Sequence, residues 1–491
     1  MSTTMTGSSE ADLILTGGWV IPMDPARQII ENGAVAVRDG RVLAVGPAAD
    51  IAAAYTAERI IDTTGKAVLP GFIDAHAHAG HGLIKTMAMD GGDRWEEICG
   101  EVYTTGSTPE FWYAEARLAA LERLRFGVTT GVSLLGGGDT ILRSDDPVYG
   151  SAHIEGVLEV GTRSIVAVGP TRAPHPRLYA NGGRDPKSID FATQLATSQT
   201  LLARWHGAGD GCIRLALIYP VLRDEHAEKM SAADFADACA QAQRTRALSR
   251  EARVLFTQDG YTRGAVLRAE GLGLLGPDAL LSHATNLTDE EIAIVAATDS
   301  RIAHNPSAIA SILGRCPAIE LMQAGATVAI ASDATAPDRS GDMFRHMQQA
   351  MHYHRRHFRD PLVLPQGKAL EMVTIDAARA VGMEAEIGSL EPGKRADIIT
   401  VNLDRPHLAP ANMVVHRLVC FANGNDVDTV IVGGELCLSG GKALKVNEDA
   451  IIADANREAE AMIDRIGARA DLALPAHFWG TPRPAMPETV A

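Results

Sequence analysis

Cysteine is scarce in this chain. The six present among 491 residues, Cys99, Cys212, Cys239, Cys316, Cys420 and Cys437, are scattered with no C-x-x-C pair. That usage gives no zinc–cysteine site and matches reduced, cytosolic thiols. Long apolar runs are missing as well: no stretch reaches about eighteen uninterrupted apolar residues, so no membrane span is expected. The opening MSTTMTGSSEAD lacks a basic region followed by an apolar run, so no signal peptide is indicated and a cytoplasmic location is the default expectation. Basic runs are also lacking, and the net charge is −16. Phosphate binding is carried by basic patches, so nucleic acid and anionic membranes are excluded as expected partners. What is present, 46% hydrophobic and 22% charged residues, is ample for a sizeable core.

The two ends of the chain share one style. ADLILTGGWVIPM and GAVAVRDGRVLAVGP, with an Asp39-Gly40 hairpin signal, read as short strands broken by turns. ADIITVNLD (396–404) and VDTVIVGGELCLSGGKAL (427–444) are equally alternating, β-branched and Gly-punctuated. A small β-sandwich domain assembled from both termini follows. The middle has another rhythm, in which apolar runs at 71–78, 127–135, 163–170, 212–220, 253–259, 279–284, 301–306 and 327–333 alternate with helical patterns such as 109–126, 231–252 and 287–298. Eight near-continuously hydrophobic strands are what a parallel (β/α)8 TIM-type barrel needs, because both faces of each strand are buried. The expected domains are 1–66 and 386–445 for the two parts of the β domain, 67–385 for the barrel, and 446–491 for a terminal helix and Pro-rich tail. The end of that tail, HFWGTPRPAMPETV, is expected to wrap a neighbour or stay mobile.

The stretch PGFIDAHAHAGHGL (70–83) holds His76, His78 and His81. An H-x-H tripeptide is weak evidence alone, and His352-Tyr353-His354 supplies a second one inside a helical pattern. Residues two apart share a face on a strand and do not on a helix, so only the first pair can converge. Polar residues then end five of the eight strands: His76 and His78 the first, Gln258 and Asp259 the fifth, His283 the sixth, His304 the seventh and Asp333 the eighth. In such barrels the active site lies at the C-terminal ends of the strands. Imidazoles with a carboxylate suit zinc, or alternatively ferrous iron, and leave a coordination position for water.

Taken together, the motifs resemble the amidohydrolase superfamily, in the branch of S-adenosylhomocysteine and guanine deaminases and the triazine hydrolases. VLPGFIDAHAHAGHGL is similar to that branch's first-strand motif, LLSHATNLTDEEI to its sixth, and RIAHNPSAIASILGRCPAIELMQAGATVAIASDATAPDRSGDMF to its seventh-to-eighth stretch. ALEMVTIDAARAVGMEAEIGSLEPGKRADIITVNLD resembles the family's return from barrel to β domain, and the likeness runs from about 11 to 445. It implies one divalent metal held by His76, His78, a fifth-strand histidine and Asp333. It also implies His283 as partner of the attacking water or extra ligand, Asp333 as proton acceptor, His304 as a substrate contact, and a homo-oligomer.

The chain departs from this pattern on the fifth strand, where the branch reads H-T-H-x-x-E. Thr257 sets a register that puts Phe256 and Gln258 at the histidines and Tyr261 at the glutamate; a one-residue slip offers Asp259 instead. Either Gln258 or Asp259 is an oxygen ligand, or His283 joins the first shell, or the metal is lost. The expected metal set is therefore His76, His78, Asp333, His283 and Gln258. In the deaminases of the branch the glutamate protonates a ring nitrogen, and Tyr261 serves that role poorly. The expected reaction is thus hydrolysis of a non-peptide C–N bond (amide, urea or carbamate-like) in a small molecule, similar to phenylurea or thiocarbamate hydrolases. Deamination of an amino-substituted N-heterocycle is the alternative, and a metal-free, non-catalytic homologue a second one. His81, Tyr261 and Trp95 are expected to face substrate. His346, His352, His354 and His357 are expected on a helix surface, Gly136-Gly137-Gly138 as a flexible loop, and a single metal because the fourth strand, CIRLALIYP, has no lysine.

Overall fold

The computed structural model describes residues 9–89, 94–308, 310–333, 335–474 and 478–480. The expected C-terminal tail therefore lies largely outside the described residues. Eight parallel strands form the central sheet: β1 (Phe72–Asp74), β2 (Val128–Leu134), β3 (Arg163–Val168), β4 (Ile213–Ile218), β5 (Phe256–Gln258), β6 (Ala279–Ser282), β7 (Arg301–His304) and β8 (Val328–Ile330). Each pairs in parallel with the next, in the order expected of a (β/α)8 barrel. Alternation sorts side chains to two buried layers: Ile165, Ala167, Ala216 and Ile218 fill the barrel interior, while Val166, Val168, Leu215 and Leu217 pack outward against the helices. That double burial is why these strands read as continuous apolar runs.

The helices follow the sequence pattern closely. Pro109–Arg125 begins at Thr108, whose side chain accepts from Phe111 N, with Pro at the first helical position. Asp289–Ala297 starts with a reciprocal capping box between Thr288 and Glu291.

The barrel closes without a ladder between β8 and β1 among the described residues. The amides of Ile73 and Ile330 donate instead to the carbonyls of Val373 and Met372, each at 2.9 Å. Higher up, Asp74 spans the seam, accepting from Ser332 N at 2.9 Å and Ser332 Oγ at 2.7 Å, and Asp333 N donates to His76 O at 2.9 Å. The seam thus ties the ends of the first and last strands together just below the polar residues.

The two chain ends form one nine-stranded ladder rather than two separate sheets, joined where Lys66–Pro70 pairs with Ile398–Asn402. One buried cluster runs from Leu13, Leu15 and Val35 to Ile398 and Ile431, so both termini share a core. Two hairpin turns of this sheet meet. Asp39 and Gly40 both have positive φ, as the expected two-residue turn demands, and a Cβ on Gly40 would come within 2.6 Å of Gly433 O.

Sheet and barrel are bolted by a buried ion pair. Arg163, which opens β3, donates to Asp397 from Nε at 3.2 Å and from Nη2 at 3.1 Å, and Asp397 also accepts from Gly433 N at 2.7 Å. Removing one partner strands a buried charge, so Arg163→Met should destabilise the fold by about 3–5 kcal/mol. Urea unfolding of the full chain checks this, and an unchanged midpoint would contradict it.

Candidate metal centre

Beyond Asp74 the first-strand segment stays extended and paired to β2: Leu134 N donates to Ala77 O and Ala79 N to Leu134 O, each at 2.8 Å. Residues two apart therefore keep one face, and the alanines at 75, 77 and 79 take the other. His76 and His78 enter the barrel mouth together. The second H-x-H behaves oppositely, since on the helix Met343–Phe358 His354 is buried and His352 exposed.

Asp259 follows β5 directly, held by the Ser282 hydroxyl, which donates at 2.6 Å. His283 and Asp333 sit just past β6 and β8 with φ of +66° and +61°. The left-handed conformation is costly for such residues and persists where surroundings impose it. Here the backbone amides impose it, His283 N bonding Ala303 O at 3.0 Å and Asp333 N bonding His76 O at 2.9 Å.

The side chains converge on one point. His76 Nε2 lies 3.3 Å from both Asp259 Oδ1 and Asp333 Oδ1. His78 Nε2 lies 3.5 Å from Asp259 Oδ2 and 3.3 Å from Asp333 Oδ1. His283 Nε2 lies 3.0 Å from Asp259 Oδ1 and 3.4 Å from Asp333 Oδ1. Donor atoms of His76, His78, Asp259 and Asp333 all fall within 4.8 Å of one another, a group able to hold a metal ion. His78 is oriented for the task, because its Nδ1–H donates to Gly136 O at 2.9 Å and leaves the Nε2 lone pair facing inward. The Asn305 amide lies 3.4 Å from His283 Nδ1 and can present nitrogen or oxygen, so His283 can hold either tautomer.

The electrostatics fit a cation. Burial disfavours charge on every member, yet Asp259 and Asp333 outweigh it and raise His76 to about 9 and His283 to about 10. The same contacts hold both carboxyls well below the usual range, against burial. Two buried carboxylates thus draw protons onto two imidazoles, in the place a divalent cation's charge would take.

Several sequence-predicted residues lie elsewhere. Gln258 does not point to the cluster: its amide nitrogen donates to Tyr219 O at 3.0 Å and its oxygen accepts from Tyr261 Oη at 2.7 Å. Both ends are consumed by the barrel wall because Gln258 still belongs to the ladder, whereas Asp259 has left it. Tyr261 is likewise fully buried and spends its hydroxyl on Gln258, not on a substrate cavity. His304, expected to touch substrate, pairs through Nε2 with His354 Nε2 at 3.1 Å. His346 and His354 are buried rather than surface residues, because their face of the helix packs on the barrel. His81, expected to face substrate, lies beside the cluster. Its ring stacks on His78 at 4.8 Å, its Nδ1 meets Tyr103 Oη at 2.8 Å, and Trp95 packs edge-on at 5.4 Å. Burial, His78 and Arg339 push the His81 pKa well down, so it is neutral at pH 7.

Three contributors had no sequence signal strong enough to find them. Gly136 supplies the carbonyl that orients His78. Gly138, at φ +77°, lets the second-strand loop pass over the site where a Cβ would overlap Asp259 Oδ2. Arg339 lies with Nη2 3.5 Å from Asp333 Oδ2. The glycines share the run read as a flexible loop, and only their neighbours in space give them a role.

Barrel, seam and buried His/Asp cluster define a hydrolase-type centre at the C-terminal ends of parallel strands. The amidohydrolase family profile matches residues 67–437, and a bacterial imidazolonepropionase-like composite domain matches 33–57. The chain belongs to the amidohydrolase family, and is a hydrolase acting on carbon–nitrogen bonds other than peptide bonds. It is 30% identical over 440 residues to 5-methylthioadenosine/S-adenosylhomocysteine deaminase of Moorella thermoacetica, covering 87% of this chain and 95% of that one. It is 28% identical to 5'-deoxyadenosine deaminase of Methanosarcina barkeri, covering 93% and 100%. Among solved structures, a zinc-bound adenosine deaminase from Xanthomonas campestris superposes with a TM-score of 0.78 at 24% identity, covering 94% of this chain and 100% of that one. Zinc-complexed atrazine chlorohydrolase from Arthrobacter aurescens superposes at 0.73 and 20%, covering 91% and 100%. These structures share the fold. No helix among the described residues is long and apolar enough to cross a membrane.

The placement of Gln258 and Asp259 yields a direct test by zinc titration. Asp259→Asn should weaken zinc binding by more than the roughly 10–100-fold typical of changes outside the ligand set. Gln258→Leu should leave zinc binding intact and cost about 1–3 kcal/mol of stability through the polar groups it abandons. The reverse pattern would restore Gln258 as the ligand.

Proposed function

We propose that this chain hydrolyses a C–N bond at a carbonyl-type carbon, in an amide, urea or carbamate-like small molecule, with one divalent cation held by His76, His78, Asp259 and Asp333. Zinc is the natural choice for imidazole and carboxylate donors, with ferrous iron the alternative. The observation that carries the reading is the fifth strand. The carboxylates paired with the three imidazoles are Asp259 and Asp333, both used as donors. The position of the ring-protonating acid is Tyr261, whose phenol burial keeps protonated and which is bonded to Gln258. A carbonyl substrate needs no ring protonation, because donors can polarise it directly.

When bound, the cation would supply Lewis acidity that lowers the pKa of a water and polarises the electrophilic carbon. The side chains do the rest. Asp333 Oδ1, central to the cluster, takes a proton from the attacking water and returns it to the departing nitrogen. His283 Nε2, opposite both carboxylates, aligns that water. His81, neutral and backed by Tyr103 and Trp95, forms a substrate-facing wall.

A second reading is favoured by the relatives, whose names include deaminases of adenosine-like nucleosides along nearly the whole chain. Zinc analysis and a substrate panel separate the two. The proposal expects close to one equivalent of metal, turnover of anilides, phenylureas or carbamates, and loss of both metal and turnover in His76→Ala. Ammonia release from aminopurine nucleosides with no amide or urea cleavage would establish the deaminase. Folded, metal-free protein would defeat both.

The reading extends to a cytoplasmic homo-oligomer. The unpaired cysteines support a reducing compartment. Exposed Ile29 and Met413 on a groove of about 650 Å³, with its mostly apolar lining, support self-association. Sedimentation should return a mass above that of one 52.0 kDa chain, and a monomer would contradict it.

A further inference from the structure

Arg339 is the one guanidinium in contact with the candidate metal centre among the described residues, and most of its hydrogen-bonding capacity is unused. It sits on the loop after β8, which is pinned to the first-strand loop by Thr86 N donating to Pro337 O at 2.9 Å. Its side chain is 5% exposed. Nη2 is satisfied by the carbonyls of Ala336 at 2.5 Å and Asp333 at 3.4 Å, and lies 3.5 Å from Asp333 Oδ2. Nε and Nη1 are buried and make no hydrogen bond; the nearest acid to Nη1 is Asp338 Oδ1 at 3.6 Å. A buried donor without an acceptor is costly, and guanidinium donors strongly favour anionic oxygen.

We propose that Arg339 is the group that receives the substrate oxygen as it becomes negative, next to the carbon attacked at Asp333. This rests on the reading of the site as a C–N hydrolase and names the chemistry of its substrate. In the step, the water oxygen bonds to the carbonyl carbon and the C=O pair moves onto oxygen, where Arg339 N–H groups donate. The pair returns as the C–N bond breaks, and the proton taken by Asp333 goes to the leaving nitrogen, giving an acid and an amine. The charges agree. Three neutral imidazoles, two carboxylates and a divalent cation sum to zero, so the donor set itself does not consume the charge of Arg339, whose other acidic neighbour is Asp338 Oδ1, 3.6 Å from Nη1. A developing oxyanion adds negative charge beside that guanidinium. Arginine holds its proton too tightly to protonate a ring nitrogen, so Arg339 does not stand in for the absent fifth-strand glutamate.

Phenylphosphonate, a tetrahedral oxyanion, probes this on the zinc-loaded full-length protein by calorimetric titration, with zinc content measured on the same samples. Arg339→Met should bind it about 10- to 100-fold more weakly than wild type at unchanged zinc content. Arg339→Lys, which keeps the charge without the directed N–H groups, should fall between, and added guanidinium ion should recover part of the loss in Arg339→Met. Equal affinity in wild type and both variants would overturn the proposal. So would loss of zinc in both variants, which would make Arg339 a support for Asp333 alone, or ammonia release from aminopurine nucleosides that Arg339→Met leaves untouched. Wild-type protein that takes up no zinc defeats the hydrolase reading itself, whereas zinc-loaded protein indifferent to Arg339 defeats only this inference.

Discussion

Two carboxylates buried opposite three imidazoles are the constraint around which this molecule is arranged. Asp259 and Asp333 share His76, His78 and His283 within 3.0 to 3.5 Å, in a place where water cannot screen them. Isolated ions at such depth would cost many kcal/mol, so the group has to be closed by protons or by a cation. The nearby oddities follow from keeping that group in register. His283 and Asp333 accept left-handed backbone, Gly138 forgoes a side chain, and Gly136 gives its carbonyl to His78.

The barrel supplies the stiffness. Its first and last strands meet through Asp74, Ser332 and the backbone bond from Asp333 to His76, so the seam and the centre are the same few residues. Strain or slack at the seam passes directly to the donors. The second anchor is remote, since Arg163 and Asp397 fix the terminal sheet beneath the barrel.

The chemistry turns on an exchange within one strand. An imidazole expected at β5 is replaced by a carboxylate one residue further on, and the expected acid by a tyrosine facing the wall. The first change adds negative charge to the donor set, and the second removes a proton source. Both underlie the proposed preference for a substrate polarised by fixed positive groups. Arg339 is the guanidinium beside that donor set, with Nη2 3.5 Å from Asp333 Oδ2.

The eight strands and the main helices were legible in the chain because periodicity and burial act locally. His76, His78, His283 and Asp333 were legible because each ends an apolar run, and a strand's two-residue repeat decides where such residues aim. The strand-5 donor was not decidable that way. Gln258 and Asp259 are adjacent and both polar, and the choice depends on where the ladder with β6 stops, after Gln258. The partner of His304 was not foreseen, because His354 comes from a helix fifty residues later. Arg339 and the glycine loop were invisible for the same reason. Sequence alone determined the barrel, its family and four residues that meet in the candidate centre, since these depend on patterns along the chain. Tertiary structure decided which oxygen joins the cluster, Asp259 rather than Gln258, and which guanidinium lies beside it, since those depend on which side chains run out of other partners.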